Sequence, residues 1–517
     1  MRTDHSSSTT FGIDYTVASF QRIFSILIAS ALIALLATCA VLDQRAGGDS
    51  AADSAPPLLL ISIDGFRHDY LDLAELPALQ RLADDGLRAD GLMHVFPTKT
   101  FATHYATATG LYAEGTGVVA NNMWDPERES SFSLGNRDAV SDGYWYDGEP
   151  IWNTVEKAGK VAATFFWPGS EAQVGGMRPT FWKPYAGDTP HDERIDQALE
   201  WLDLPPGERP TFLSLYFSVV DSAGHRYGPG RPEVIETMQE VDRALGRLID
   251  GLEARGLFDD IHILVTSDHG MTEIALERYV LLDEYLDLSQ VRVSDWGPAA
   301  QIWTVDDGPS AEEILAAVSA IPNAKAWIKG NAPERYRFDD HKRVPDVTVE
   351  AELGWMISNK PYYAGMQLGQ LGGMHGWDPA WREMHGLFLA HGPAFPAGSR
   401  FPAVRSVDLY SLMAELMDVP PAPTSGSLAP FEPLLAADIA MTYETTLWDC
   451  PGRRFVVRIA PGLASLETSG RMFSLPAVPA ASGAKYQDAT TVFWAKGDEA
   501  TFEIDGERWS GCGRVRP

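Results

Sequence analysis

The chain has 517 residues, 71 of them acidic and 41 basic, for a formal net charge of −30. A surface this acidic repels polyanions and argues against long nucleic acids as ligands, although a small phosphate ester can still bind where metal ions supply positive charge. Hydrophobic residues make up 45% of the chain, enough to fill the cores of more than one domain.

Arg22 precedes an apolar run from Ile23 to Leu42, broken only by Ser25, Ser30, Thr38 and Cys39. Residues 1–42 therefore read as a signal peptide or a membrane anchor. The end of the run, Leu35-Leu36-Ala37-Thr38-Cys39, resembles a bacterial lipoprotein cleavage box with Cys39 as the lipidated residue. That places the protein in a bacterial cell envelope, on the periplasmic side. Residues 43–57 are small and polar and read as a linker.

Leu58 to Ile63 is a continuous apolar run of strand length that ends at Asp64-Gly65. Phe212 to Val220 reads the same way and ends at Asp221, and Ile261 to Ser267 ends at Asp268-His269-Gly270. Such runs fit buried parallel strands. Helix-like segments between them, Leu79 to Leu87 and Pro232 to Arg255, imply an α/β fold with a mostly parallel sheet covered on both faces. Ligands in such sheets bind outside the carboxyl ends of the strands. Three strands that each deliver an Asp to that edge need something cationic between them.

Val95 to Tyr112 reads as a strand end, a Pro-containing turn and a short helix that stops at Gly110. Thr100 falls where that helix begins, so its hydroxyl is either a helix cap or an attacking oxygen beside a bound phosphate. His225 follows Asp221 by four residues, His269 adjoins Asp268, and His375 sits in Gly372-Gly373-Met374-His375-Gly376. Imidazoles grouped with carboxylates make a zinc-type ligand set. His104, His262, His385 and His391 lack such surroundings and are expected to be structural.

After Asp438 the pattern changes to short alternating segments, such as Phe455 to Ile459 and Thr501 to Ile504, separated by glycine turns. Residues 440–517 therefore read as a small antiparallel β barrel or sandwich. The sequence has three cysteines, and with Cys39 lipidated the remaining pair, Cys450 and Cys512, is expected to form one disulfide.

Asp64-Gly65, Pro97 to Phe101, Thr109 to Tyr112, Asn121, Phe165 to Ser170, Asp221 to His225, Ser267 to Met271 and His375-Gly376 recur in order. Together they resemble the nucleotide pyrophosphatase/phosphodiesterase family of the alkaline phosphatase superfamily, over residues 58–436. The resemblance implies two zinc ions, one held by Asp221, His225 and His375, the other by Asp64, Thr100, Asp268 and His269. It implies a phospho-threonine intermediate at Thr100, with the amide of Asn121 on a phosphate oxygen. It assigns substrate stacking to Phe101 and Trp182, where Trp182 stands in place of the usual Tyr. Nucleotides and other small phosphodiesters are the implied substrates, with glycerophosphocholine-type lipid head groups as the alternative. Ser482 to Tyr486, Phe493 to Ala500 and Ser510 to Cys512 resemble the membrane-bound inhibitors of C-type lysozyme. That likeness puts Ser482 and Lys496 at the lysozyme contact. An envelope inhibitor carrying a vestigial enzyme domain is the other expectation.

Overall fold

A computed structural model describes residues 55–366 and 372–516. The leader, Cys39 and all but the last residues of the linker lie outside the described residues. Among the described residues no helix is long and apolar enough to cross a membrane. Residues 56–517 form one compact unit.

An eight-stranded sheet is the frame of this unit. Its strands are β1 (Leu58–Ile63), β2 (Leu87–Ala89), β3 (Ala162–Phe165), β4 (Phe181–Lys183), β5 (Phe212–Phe217), β6 (His262–Thr266), β7 (Phe388–His391) and β8 (Ser399–Phe401). They lie in the order β8-β2-β7-β6-β1-β5-β3-β4. Only β7 runs against its neighbours β6 and β2. The sheet is therefore mostly parallel, as expected from its apolar strands. Alternate residues of β1 enter different cores. Leu58 and Leu60 join one, while Leu59, Ile61 and Ile63 join the other. Helices α1 (Pro77–Asp84), α4 (His191–Leu202) and α6 (Pro232–Ala254) cover the second face, and α2 (Thr100–Thr109) and α3 (Ile151–Lys157) cover the first.

The segment expected as a strand up to Asp221 changes character earlier. Strand β5 stops at Phe217, Ser218 turns to helical dihedrals (φ −93°, ψ −8°), and α5 runs over Val219–Tyr227. Asp221 thus stands in the first turn of a helix and His225 one turn further on. The apolar pair Val219-Val220 conceals this switch, because a short apolar run fits a strand end and a helix start equally well.

A four-stranded antiparallel sheet, whose first two strands are Arg292–Asp295 and Ala299–Trp303, is inserted before His375. The C-terminal segment is a closed barrel of eight strands from Glu444–Cys450 to Glu507–Val515. Consecutive strands pair antiparallel, and the first pairs with the last. Cys450 and Cys512 form the expected disulfide.

The barrel seats against the loop that follows His375. The Met472 amide donates to the Ala380 carbonyl (2.7 Å), and the Arg382 amide to that of Gly470 (3.1 Å). Arg335 and Arg471 each bond both Asp378 and the barrel's Asp505. The side chains of Arg335 and Asp378 are 9% and 5% exposed, so this junction is buried rather than a loose surface contact.

Candidate active site

Asp64 follows β1, Asp221 lies just beyond β5, and Asp268 follows β6. The three strands are neighbours, so their carboxyl ends bring the three carboxylates to one edge. Gly65 makes the approach possible. Its φ is +70°, and a Cβ there would lie 2.8 Å from the Cα of Asp221. The Gly65 amide also donates to Asp268 Oδ1 (3.1 Å).

Each histidine of the set spends Nδ1 on a backbone carbonyl. His225 donates to Gly373 (2.9 Å), His269 to Gly270 (2.9 Å) and His375 to Thr98 (2.7 Å). Nε2 is then free to face the carboxylates. His225 Nε2 is 3.2 Å and His375 Nε2 3.7 Å from Asp221 Oδ1. His269 Nε2 is 3.1 Å from Asp268 Oδ2 and 3.4 Å from Asp64 Oδ1. Asp64 Oδ1, Asp221 Oδ1 and Asp268 Oδ2 are buried and make no hydrogen bond. Two groups have ligand atoms all within 4.8 Å of one another: Asp221, His225 and His375, and Asp64, Asp221 and His269. Asp221 belongs to both.

This electrostatic arrangement calls for a cation. Burial, with Asp268 and Asp221 beside it, raises the Asp64 carboxyl well above its ordinary value. Burial raises Asp221 as well. Burial acts the same way on Asp268, but His269 and His104 outweigh it and hold that group well below its ordinary value. Unbonded carboxylate oxygens facing imidazole nitrogens fixed through their far side are the donor chemistry of a divalent metal centre.

Thr100 is the first residue of α2. The residue at the helix cap is Lys99, whose side chain makes no capping bond. The Thr100 hydroxyl instead faces the carboxylate edge, 3.4 Å from His269 Nε2. Asn121 Oδ1 accepts from the Phe101 amide (2.9 Å), which leaves the Asn121 Nδ2 as a donor next to the same turn.

A family model described as type I phosphodiesterase/nucleotide pyrophosphatase matches residues 58–378, more than half of the chain. The chain belongs to the type I phosphodiesterase/nucleotide pyrophosphatase family. Mouse ectonucleotide pyrophosphatase/phosphodiesterase family member 1 is 36% identical over 399 residues, covering 74% of this chain and 43% of that protein. A venom phosphodiesterase of Naja atra is 34% identical over 383 residues, covering 72% of this chain and 45% of that protein. The chain thus spans less than half the length of these curated relatives. Murine ectonucleotide pyrophosphatase/phosphodiesterase 5 superposes with a TM-score of 0.68 at 35% identity, over 73% of this chain and 99% of that one. An inactive form of the same murine protein, solved in complex with AMP, gives 0.69 at 34% identity over the same shares. A second model, membrane-bound lysozyme-inhibitor of c-type lysozyme, matches residues 448–508.

Three residues in the phosphodiesterase fold bear on the site without a signal in the sequence. His104, expected to be structural only, lies one turn along α2 from Thr100. Its Nδ1 is 2.8 Å from the Thr100 carbonyl and 3.3 Å from Asp268 Oδ2, and its Nε2 is 2.8 Å from Ser62 Oγ. The hydroxyl of Tyr216, on β5, donates to Asp64 Oδ2. Asp295, at the end of the strand Arg292–Asp295, is 4% exposed and pairs with Lys99 Nζ. It also accepts from Asn122 Nδ2 at 2.9 Å. One buried carboxylate therefore grips the immediate neighbours of both Thr100 and Asn121. Asp295→Asn is expected to lower kcat by roughly tenfold to a hundredfold with little change in KM, because it shifts the segments that carry Thr100 and Asn121. Steady-state kinetics of that variant and of Lys99→Met check this; an unchanged kcat in both removes Asp295 from the machinery.

The aromatic residues divide. Phe101 is half-buried, its ring 5.5 Å from that of Phe132. Trp182 lies on the edge strand β4 with the Arg178 guanidinium 4.7 Å from its ring. Tyr185, three residues on, is 37% exposed, donates to Ser218 Oγ (3.1 Å), and has its ring 6.1 Å from that of Tyr216. Tyr185 is therefore linked to the carboxylate edge through Tyr216. In the Phe-Trp-Pro-Gly segment, Phe166 packs on Tyr185 and Trp167 on His104.

In the barrel, Ser482 and Lys496 come together. The Trp494 indole donates to the Ser482 carbonyl (2.9 Å), and the adjoining Gly483 is so close to residues 495 and 496 that a Cβ would meet the Ala495 carbonyl at 2.2 Å. Lys496 and Trp494 are both exposed.

Proposed function

We propose that residues 58–436 form a two-zinc nucleotide pyrophosphatase/phosphodiesterase that acts through Thr100. The observation that carries this is the Thr100 hydroxyl, which reaches from the start of α2 to His269 Nε2 (3.4 Å), the same nitrogen that faces Asp64 and Asp268. Asp221, His225 and His375 would hold one zinc, and Asp64, Thr100, Asp268 and His269 the other. Zinc bound there supplies charge to neutralise the phosphate and to ease loss of the hydroxyl proton. Deprotonated Thr100 Oγ1 attacks phosphorus, the bond to the leaving alcohol or phosphate breaks, and a phospho-threonine remains. Water then hydrolyses that ester and regenerates the hydroxyl. Asn121 Nδ2, held in place through its carbonyl oxygen, donates to a phosphate oxygen as charge develops.

Nucleotides are favoured over lipid head groups as substrates because an aromatic rim stands beside the site and a relative of similar fold was solved with AMP. The base stacks on Phe101 and, from its position, on Tyr185 in preference to Trp182. ATP is expected to be turned over in preference to glycerophosphocholine. Tyr185→Ala should raise KM for ATP about tenfold, a loss of one stacked base face, whereas Trp182→Ala should leave it within twofold or so. Faster turnover of glycerophosphocholine assigns the enzyme to lipid head groups, and the opposite ranking of the two variants restores Trp182.

Residues 440–517 are proposed as an inhibitor module for C-type lysozyme, on a protein carried in the bacterial envelope by its leader. Support comes from the family match and from the exposed Lys496 beside Ser482. A cation suits the two carboxylates of a lysozyme cleft. The full-length protein should inhibit C-type lysozyme, and Lys496→Ala should weaken inhibition by roughly tenfold to a hundredfold. Absence of inhibition by the full chain reduces the barrel to a structural cap. The complete set of metal donors argues against a vestigial enzyme domain.

A further inference from the structure

A cavity of about 170 Å³ opens where the barrel meets the phosphodiesterase fold. Val95 and Phe96 line it on one side and Phe473 and Asp488 of the barrel on the other. Its polar wall carries spare donors. Arg405 gives Nε and Nη2 to Asp408 (2.8 and 2.7 Å), and its Nη1 has no hydrogen-bond partner among the described residues. Arg337 gives only Nε, to Glu114 (2.7 Å), so both of its terminal nitrogens are unspent among the described residues. The Arg337 guanidinium stands 5.7 Å from the ring of Tyr112, whose hydroxyl likewise has no partner there. Arg335 differs, because each of its three nitrogens already bonds Asp378, Asp505 or Tyr336.

Acceptors are scarce on this wall. Asp488 is the one carboxylate among the lining residues; its Oδ1 receives the Thr490 and Thr491 amides (2.9 and 2.7 Å), and its charge acts on Arg405 and Arg335. Asp408 and Glu114 offset the charge of the arginines through the bonds they accept; Arg337 is 49% exposed, so water meets its terminal nitrogens, whereas Arg405 is 15% exposed and its Nη1, with the Tyr112 hydroxyl, has no protein partner among the described residues. A ligand that satisfies them must be rich in acceptors and small. The volume is enough for one tetrahedral oxyanion with a few waters. The net charge of −30 is no obstacle at this range. Repulsion from distant surface carboxylates is screened beyond about 8 Å at physiological salt, while charge-assisted bonds inside the cavity are short-ranged and strong.

We propose that this junction cavity is a binding site for a small inorganic oxyanion of the phosphate class, held by Tyr112, Arg337 and Arg405. The site is separate from the catalytic carboxylates and independent of the reading given to them. Bound there, the anion braces the barrel's contact with the fold, because one wall belongs to each. It also borders Val95-Phe96, the residues that enter the Pro97–Thr100 turn.

Inorganic phosphate titrated calorimetrically into the full-length, metal-loaded protein tests this. Two binding events are expected, one at the catalytic centre and one here. Tyr112→Phe with Arg337→Gln should weaken the second event roughly tenfold to a hundredfold, from the loss of charge-assisted bonds, and leave the first event and phosphodiester turnover in place. Tyr112→Phe alone, which removes a hydroxyl and little volume, should give a smaller shift in the same direction. Crystals of the wild-type protein soaked in selenate should show an anomalous peak beside Arg405. A single phosphate event that ignores both variants, or a selenate peak confined to the catalytic carboxylates, overturns the proposal.

Discussion

Thr100→Ala is expected to cut hydrolysis of p-nitrophenyl thymidine monophosphate by about four orders of magnitude or more, the usual scale for loss of a covalent nucleophile. The protein should remain folded and keep its zinc. The hydroxyl makes no capping bond, since Lys99 occupies the cap position, and its hydrogen bond among the described residues is the long one to His269 Nε2 (3.4 Å). The metal donors supplied by six other side chains are untouched. Thr100→Ser should keep substantial activity, because it retains the oxygen and removes only the methyl group that fixes χ1. Zinc content measured alongside the rate separates loss of the nucleophile from loss of the centre. Near wild-type turnover by Thr100→Ala with zinc in place would end the mechanism proposed here.

Removal of metal should have the second largest effect. Chelation is expected to abolish turnover and to lower the melting temperature, with both restored by added zinc. The reason lies in the three buried carboxylate oxygens without hydrogen bonds. Without a cation they stand close together with no donor to offset their charge, and burial already drives Asp64 and Asp221 upward. A ligand present at a thousand times its dissociation constant adds about 4 kcal/mol to stability by mass action. Calorimetric melting at several free zinc concentrations reads this directly. Asp221→Ala should remove most of the dependence, since Asp221 belongs to both donor groups. A melting temperature indifferent to zinc would mean that the cluster holds no metal in solution.

Much of this was legible in the chain because the sheet is parallel and doubly covered. Its central strands are unbroken apolar runs, and Asp64 and Asp268 stand just past two of them. The boundary at Asp221 was less legible, because Val219 and Val220 belong to a helix that begins with strand-like residues. The supporting residues were beyond reach for a different reason. His104, Tyr216 and Asp295 act through partners 164, 152 and 196 positions away in the chain (Asp268, Asp64 and Lys99). A side chain whose partner is that remote leaves no local pattern. Trp182 lies in strand β4 and Tyr185 two residues past its end, and composition carries no information about which of two aromatics so near in sequence stands closer to the carboxylate edge.

The barrel's seat has a mechanical implication. His375 is three residues from Asp378 and five from Ala380, and both of those are gripped across the junction. The last histidine of the centre is therefore delivered by a strap whose far end is buckled to the appended module. A relative that sheds or exchanges that module would need some other anchor for the strap. The two halves are thus poor candidates for free shuffling, even though each carries the signature of its own family.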